Sequence, residues 1–270
     1  MQFAGPARPV ARVGYRPSRR PGRTGRDGVK SQNLAVPGRA LAIGAHPDDI
    51  ELNAGATLSK WAAAGCEVSL LVCTDGSKGT WDPDADLDKL VAARQDEQLE
   101  SARRLGAVGE VVFLGWVDGE LESGPEPRRQ VAAWIRKLRP DVVLGHDPWR
   151  RWRLHPDHRH AGWLTVDGIV AARDPHFFPE LDLDPHRPDA LLLFEADEPD
   201  HSEDTAGFEG AVATALEAFV SQYETTLDLP PEPNDAELGR LHTWVADKLA
   251  EAGTDVGLAS AELFKLIDDL

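Results

Sequence analysis

Cysteine is nearly absent. The chain carries only Cys66 and Cys73, in one apolar stretch that reads as a single strand, so neither easily reaches the other. That excludes a disulfide framework and leads us to expect two buried free thiols in a reducing compartment. Basic residues are also scarce relative to acidic ones, 29 against 46 in 270 residues, for a formal net charge of -17. A nucleic-acid surface over the folded part needs clustered cations and is excluded on that ground. A neutral or cationic small molecule is the better partner. No apolar run approaches the roughly 20 residues that cross a bilayer, so no membrane partner is expected and the expected location is cytoplasmic. A homo-oligomer stays open. The residues up to about Pro37 lack the apolar centre of a signal peptide, despite the twin-arginine look of Arg19-Arg20. Their Arg, Pro and Gly content reads as a disordered leader.

The pattern changes at Ala40. Ala40 to Ala45 is a short apolar run ending at His46, as in a parallel strand buried on both faces. A helix over Leu52 to Ala64, stopped by Gly65, leads to a strand over Glu67 to Thr74. There follow a helix over Asp88 to Leu105 closed by Gly106, a strand at Glu110 to Leu114 and a helix at Arg128 to Leu138. A strand at Asp141 to Gly145, a helix at Pro156 to Ala172 and a strand at Ala190 to Phe194 complete the series. This alternation predicts an α/β fold with a mostly parallel sheet and helices on both faces. The Pro- and Asp-rich connection over 173–189 is expected to lie over the site. Helices are expected over Phe208 to Glu224, Asp235 to Ala252 and Ser260 to Ile267. The organisation is then a leader at 1–37, a domain at 38–229 and a C-terminal helical extension at 230–270 packed on that domain.

In an open parallel sheet, ligands gather beyond the carboxyl ends of the strands, where the strand order reverses. His46, Asp48, Asp49, Asp75, His146 and Asp147 directly follow expected strands and so converge on one edge, while His155 and His158 open the next helix. Imidazoles and carboxylates suit a hydrolytic metal site that keeps a position open for water and lowers its pKa. His46 and Asp49 reach inward from one loop and His158 from the later helix. Two imidazoles and one carboxylate fit Zn2+ or, as the alternative, Fe2+. Asp48 beside them suits a general base, His155 a donor to an oxyanion or leaving nitrogen, and Asp157 an orienting partner.

Each motif has a plainer reading. Alone, His46-Pro47-Asp48-Asp49 also reads as a helix cap, and a lone His-x-x-His says less. What joins them is that both follow strands of the same expected sheet with Asp next to His. His146 and Asp147 either line the pocket or position the neighbouring loop. Trp149 to Arg153 is read as a pocket rim with Arg–aromatic stacking. Asp197, Glu198, Asp200 and His201 are read as a solvated acidic loop near the mouth, with Asp200 or His201 in reach of substrate.

Several segments together resemble a known family. They are Ala45-His46-Pro47-Asp48-Asp49, Thr74-Asp75-Gly76-Ser77-Lys78-Gly79, Arg94 with Glu97, Leu105-Gly106, His155-Pro156-Asp157-His158 and Ser221-Gln222. In order and spacing they are similar to the LmbE/PIG-L family of N-acetylglucosaminyl deacetylases, over about Ala40 to Glu224. The resemblance implies a Rossmann-like three-layer αβα fold and a zinc-dependent hydrolase that removes the N-acetyl group from an N-acetylglucosamine-type small glycoconjugate. Mycothiol-pathway deacetylases and amidases are among the similar enzymes. It implies His46, Asp49 and His158 as zinc ligands, Asp48 as the base acting on metal-activated water, His155 as stabiliser of the tetrahedral intermediate and Arg94 as a sugar contact. Lys78, Asp75, His146 and Asp147 are the remaining expected substrate contacts. Many relatives carry an acidic residue where this chain has Ser77-Lys78, so the contacts of that loop are expected to differ. Two other functions stay open: an amidase removing a larger acyl group, as in thiol-conjugate detoxification, and a non-catalytic sugar-binding relative, which would have no need of Asp48.

Overall fold

The computed structural model describes residue 29 and residues 31–270. In chain order the elements are β1 (Ser31–Gln32), β2 (Arg39–Gly44), α1 (Asp49–Ala63), β3 (Glu67–Thr74), α2 (Leu87–Leu105), β4 (Val111–Trp116), α3 (Pro125–Leu138) and β5 (Val142–His146). They continue with α4 (Pro156–Arg173), β6 (Ala190–Phe194), β7 (His201–Asp204), α5 (Glu209–Leu216), α6 (Asp235–Thr254) and β8 (Ala261–Ile267). The strands form one sheet in the order β1-β7-β8-β6-β5-β2-β3-β4, parallel throughout except at β8, which runs antiparallel to both of its neighbours.

Period-two geometry explains why the central strands read as unbroken apolar runs. In β2, Leu41 and Ile43 face one core with Val131, Ile135 and Leu164 from α3 and α4, while Ala40 and Ala42 face the other with Ile50, Leu58 and Ala102 from α1 and α2. Helices on both faces leave only the strand ends open to ligands. Strand order reverses between β2 and β5, which pair with each other, so the carboxyl ends of these two strands mark the ligand-binding crevice.

Four expectations are corrected. Ser260 to Ile267 is not a helix: its apolar residues fit either period, and hydrogen bonding to β6 and β7 makes it the interior strand β8. Residues 230–270 therefore supply a strand inside the sheet as well as helix α6. The helix expected over Phe208 to Glu224 ends at Leu216 and resumes only as a 3-10 turn at Val220–Gln222, where Glu97 takes the N–H and hydroxyl of Ser221. The connection over 173–189 lies at the amino edge, away from the crevice, with His186 bonded to the carbonyl of Pro140 just before β5. Most of the expected leader lies outside the described residues, but its end at Ser31 and Gln32 is paired with β7.

Candidate active site

α1 begins directly after β2, and its N-cap Asp48 has a left-handed backbone, φ 95°. Such a conformation in a residue with a Cβ costs about 1–3 kcal/mol and persists only where the surroundings enforce it. Gln98 Oε1 accepts the Asp48 N–H at 3.2 Å, and Arg94 Nη2 donates to the carbonyl of Pro47 at 2.7 Å. The same buried guanidinium donates to Asp48 Oδ2 at 3.2 Å and to the carbonyl of Gly76 at 2.9 Å. The loop after β3 closes directly on it: a Cβ on Gly76 would stand 2.7 Å from Arg94 Nη1, and one on Gly79 closer still. Both glycines are thus required by the close approach to Arg94.

Beside Asp48, donor atoms of three residues converge. His46 Nδ1 is 3.1 Å from His158 Nε2 and 3.3 Å from Asp49 Oδ2, and Asp49 Oδ1 is 3.3 Å from His158 Nε2. Tetrahedral Zn–N and Zn–O bonds of about 2.0–2.1 Å require ligand atoms about 3.3 Å apart, so the spacing of these three residues, with one Asp49 oxygen toward each imidazole, is of the size a metal needs. Among the described residues, His46 with His155 and His158, His46 with Asp118, His155 and Asp157, and Asp49 with His146 and His158 each offer donor atoms within 4.8 Å of one another.

The far side of His46 decides which nitrogen is free. Its Nε2 lies 3.1 Å from Asp118 Oδ1 and 3.2 Å from Asp157 Oδ2. Asp157, fully buried, also accepts the N–H groups of Gly119 at 2.6 Å and Leu121 at 3.3 Å. Carboxylates facing Nε2 put the proton there and leave the Nδ1 lone pair to the triangle. Burial lowers the pKa of His46, but the hydrogen bonds to Asp118 and Asp157 outweigh it and raise the group well above its ordinary value. Burial disfavours ionised Asp49, yet the charges and hydrogen bonds of His146 and His46 hold that carboxyl well below its usual range. The surrounding carboxylates therefore favour positive charge on the His46 ring, which without a metal is a second ring proton on Nδ1.

Asp48 differs from Asp49 next to it. Burial, only partly opposed by the Arg94 charge, pushes its carboxyl up to about 7. A carboxyl near neutrality suits proton transfer in both directions. His155 caps α4, and its Nδ1 accepts the Asp157 N–H at 3.3 Å, so its Nε2 carries the proton when the ring is neutral. Burial and the nearby His46 charge both lower its pKa and keep it neutral.

Of the other expected residues, His146 is buried inside the cluster, with Nε2 at 3.3 Å from Asp49 Oδ2 and Nδ1 at 3.2 Å from Glu195 Oε2. Asp75 Oδ1 accepts from the N–H groups of Ser77 and Asp118, shaping the loops. Lys78 gives its N–H to Asp118 and its Nζ to Glu120. Asp147 accepts from the N–H groups of Trp149 and Asp197. The expected Arg–aromatic rim is replaced by ion pairs: Arg150 and Arg153 bind Glu195, and Arg151 binds Asp197. The expected acidic loop at the mouth is largely structural. His201 is buried in β7 against Ser31 and Glu203, and Asp200 pairs with Lys265.

Asp118, Gln98 and Glu195 were missed by sequence reasoning. Asp118 and Glu195 follow the ends of β4 and β6, so the carboxyl-edge rule applied to every strand would have flagged both. Gln98 lies inside α2 and carries no such signal.

The sequence profile of the GlcNAc-PI de-N-acetylase (PIG-L) family matches residues 41–169. The diacetylchitobiose deacetylase of Thermococcus kodakarensis is 35% identical over 188 residues, 68% of this chain and 70% of that protein. The 1D-myo-inositol 2-acetamido-2-deoxy-alpha-D-glucopyranoside deacetylase of Streptomyces avermitilis is 32% identical over 53% of this chain; the chain spans only 56% of that relative's length. Among solved structures, the N,N'-diacetylchitobiose deacetylase from Pyrococcus horikoshii superposes with a TM-score of 0.76 at 28% identity, over 86% of this chain and 84% of that one.

Proposed function

Because the chain belongs to the PIG-L family of de-N-acetylases, we propose that it hydrolyses the N-acetyl group of an N-acetylglucosamine-type glycoconjugate at the His46–Asp48–Asp49–His155–His158 site. The observation that carries this reading is the adjacency of a metal-sized donor triangle and a buried carboxyl, Asp48, with a pKa near neutrality. His46 Nδ1, Asp49 and His158 Nε2 hold the metal, zinc in our reading and iron(II) as the alternative for the same set of two imidazoles and one carboxylate. When bound, the metal supplies Lewis acidity to the amide carbonyl and lowers the pKa of water.

The remaining steps fall to side chains. Asp48 removes a proton from the attacking water, with Arg94 holding its carboxylate and Gln98 its backbone N–H in place. The neutral His155 ring donates its Nε2–H to the oxyanion as the carbonyl becomes tetrahedral. Asp48 then returns its proton to the departing sugar amine, releasing acetate and leaving the residue ready for another turnover.

The test is amine release from N,N'-diacetylchitobiose and from the N-acetylglucosaminyl inositol conjugate, with zinc and iron(II) compared anaerobically. Asp48→Asn should bind metal normally and lose roughly 100- to 10,000-fold in kcat, the usual contribution of a general base. Wild-type turnover by that variant would remove Asp48 from the mechanism. Absence of amine release from every N-acetylglucosamine conjugate, by metal-loaded protein, would overturn the substrate class.

A further inference from the structure

Glu195 follows β6 at the carboxyl edge of the sheet and adopts a left-handed backbone, φ 56°, which a glutamate takes only under constraint. The constraint is its side chain, 16% exposed, whose two oxygens face different partners. Oε2 lies 3.2 Å from His146 Nδ1 and 3.8 Å from His158 Nδ1. Oε1 accepts from Arg150 at 2.6 Å and Arg153 at 2.8 Å.

The His158 contact matters most. With Nε2 of His158 turned to the triangle, Nδ1 must carry the proton, and this buried Nδ1 has no hydrogen-bond partner among the described residues. The carboxylate oxygen 3.8 Å away needs only a small ring rotation to accept it. Histidine ligands characteristically have such a carboxylate behind them, which sets the tautomer, fixes the ring plane and raises ligand basicity. On the other side, Arg150 and Arg153 flank Trp152, a residue 91% exposed whose backbone is also left-handed, φ 63°. That loop runs straight into His155.

We propose that Glu195 is a positioning residue serving both halves of the site: Oε2 orients His158 and His146 behind the metal triangle, and Oε1 moors the loop that delivers His155. The proposal rests on the metal-dependent reading above. It assigns separate consequences to the two oxygens, so they can be tested apart.

Three variants separate them: Glu195→Ala, the near-isosteric Glu195→Gln, and the double variant Arg150→Ala/Arg153→Ala, which frees the loop and leaves Oε2 in place. Zinc affinity is read on apo-protein by competition with a chromophoric chelator, independently of turnover. Removing the carboxylate should weaken zinc roughly 10- to 100-fold, with the Gln variant losing less. The double arginine variant should keep wild-type zinc affinity and lose kcat, because His155 is no longer held. If Glu195→Ala does not fold, Glu195→Gln carries the measurement. Wild-type zinc affinity in both Glu195 variants overturns the proposal, as does an arginine double variant with unchanged kcat. Failure of the wild-type protein itself to bind any divalent ion would instead overturn the metal reading on which the proposal stands.

Discussion

Asp157→Asn tests the tautomer argument at a single atom. The native carboxylate is fully buried and accepts three N–H groups, from His46 at 3.2 Å, Gly119 at 2.6 Å and Leu121 at 3.3 Å. Asparagine has the same shape but one acceptor oxygen and two N–H donors. With its oxygen toward His46 and Gly119, its amide nitrogen meets the Leu121 N–H, donor against donor; turned over, it meets the other two. The first orientation sacrifices the longest of the three bonds and should prevail. A buried donor left facing a donor costs about 1–3 kcal/mol. For a domain of this size that is a drop of roughly 2–12 °C in Tm. Losing the charge behind His46 should also weaken metal binding roughly 10- to 100-fold. Calorimetry of the apo-protein and chelator competition measure the two effects. Wild-type metal affinity would refute the claim that the Asp157 charge behind His46 sustains it as a ligand, and a wild-type Tm would show that the Leu121 bond is dispensable.

Two further substitutions probe the supports of the site and of the sheet. Gly79→Ala sets a methyl group against Arg94 Nη1 and so disturbs the guanidinium that holds Asp48; kcat should fall about 100-fold, the usual cost of displacing a catalytic group by an ångström, with metal content unchanged. Unaltered kcat would mean the Arg94–Asp48 contact does not govern the base. Lys60→Met leaves Glu203, whose side chain has no exposed surface, without its 2.5 Å partner. The variant should lose about 3–5 kcal/mol in urea unfolding, and an unchanged unfolding midpoint would show that the remaining bonds from Leu34 and His201 satisfy the carboxylate.

Much of the fold was legible because it is local. β3, β6 and the closing of α2 by Gly106 follow from apolar runs and a glycine that takes φ 82°. β7 and β8 were not legible, since Ala261–Ile267 has no distinctive period and β7 carries His201 and Glu203 fully buried. What makes them strands is their hydrogen-bonding partners, and a buried His–Glu–Lys network makes polar residues behave as core.

The sequence by itself determined the chemistry-bearing groups. His46, Asp48 and Asp49 come from one post-strand turn and His155 and His158 from one helix start, so their identity and spacing are set within a few residues. Only the tertiary structure decided their states: which nitrogen of His46 is free, why Asp48 sits near neutrality while Asp49 is held ionised, and what stands behind His158. Those depend on Asp118, Arg94, Gln98, Asp157 and Glu195, brought from separate elements to one sheet edge. Proton affinity is set by burial and by charges a few ångströms away in space, and distance along the chain carries no record of either.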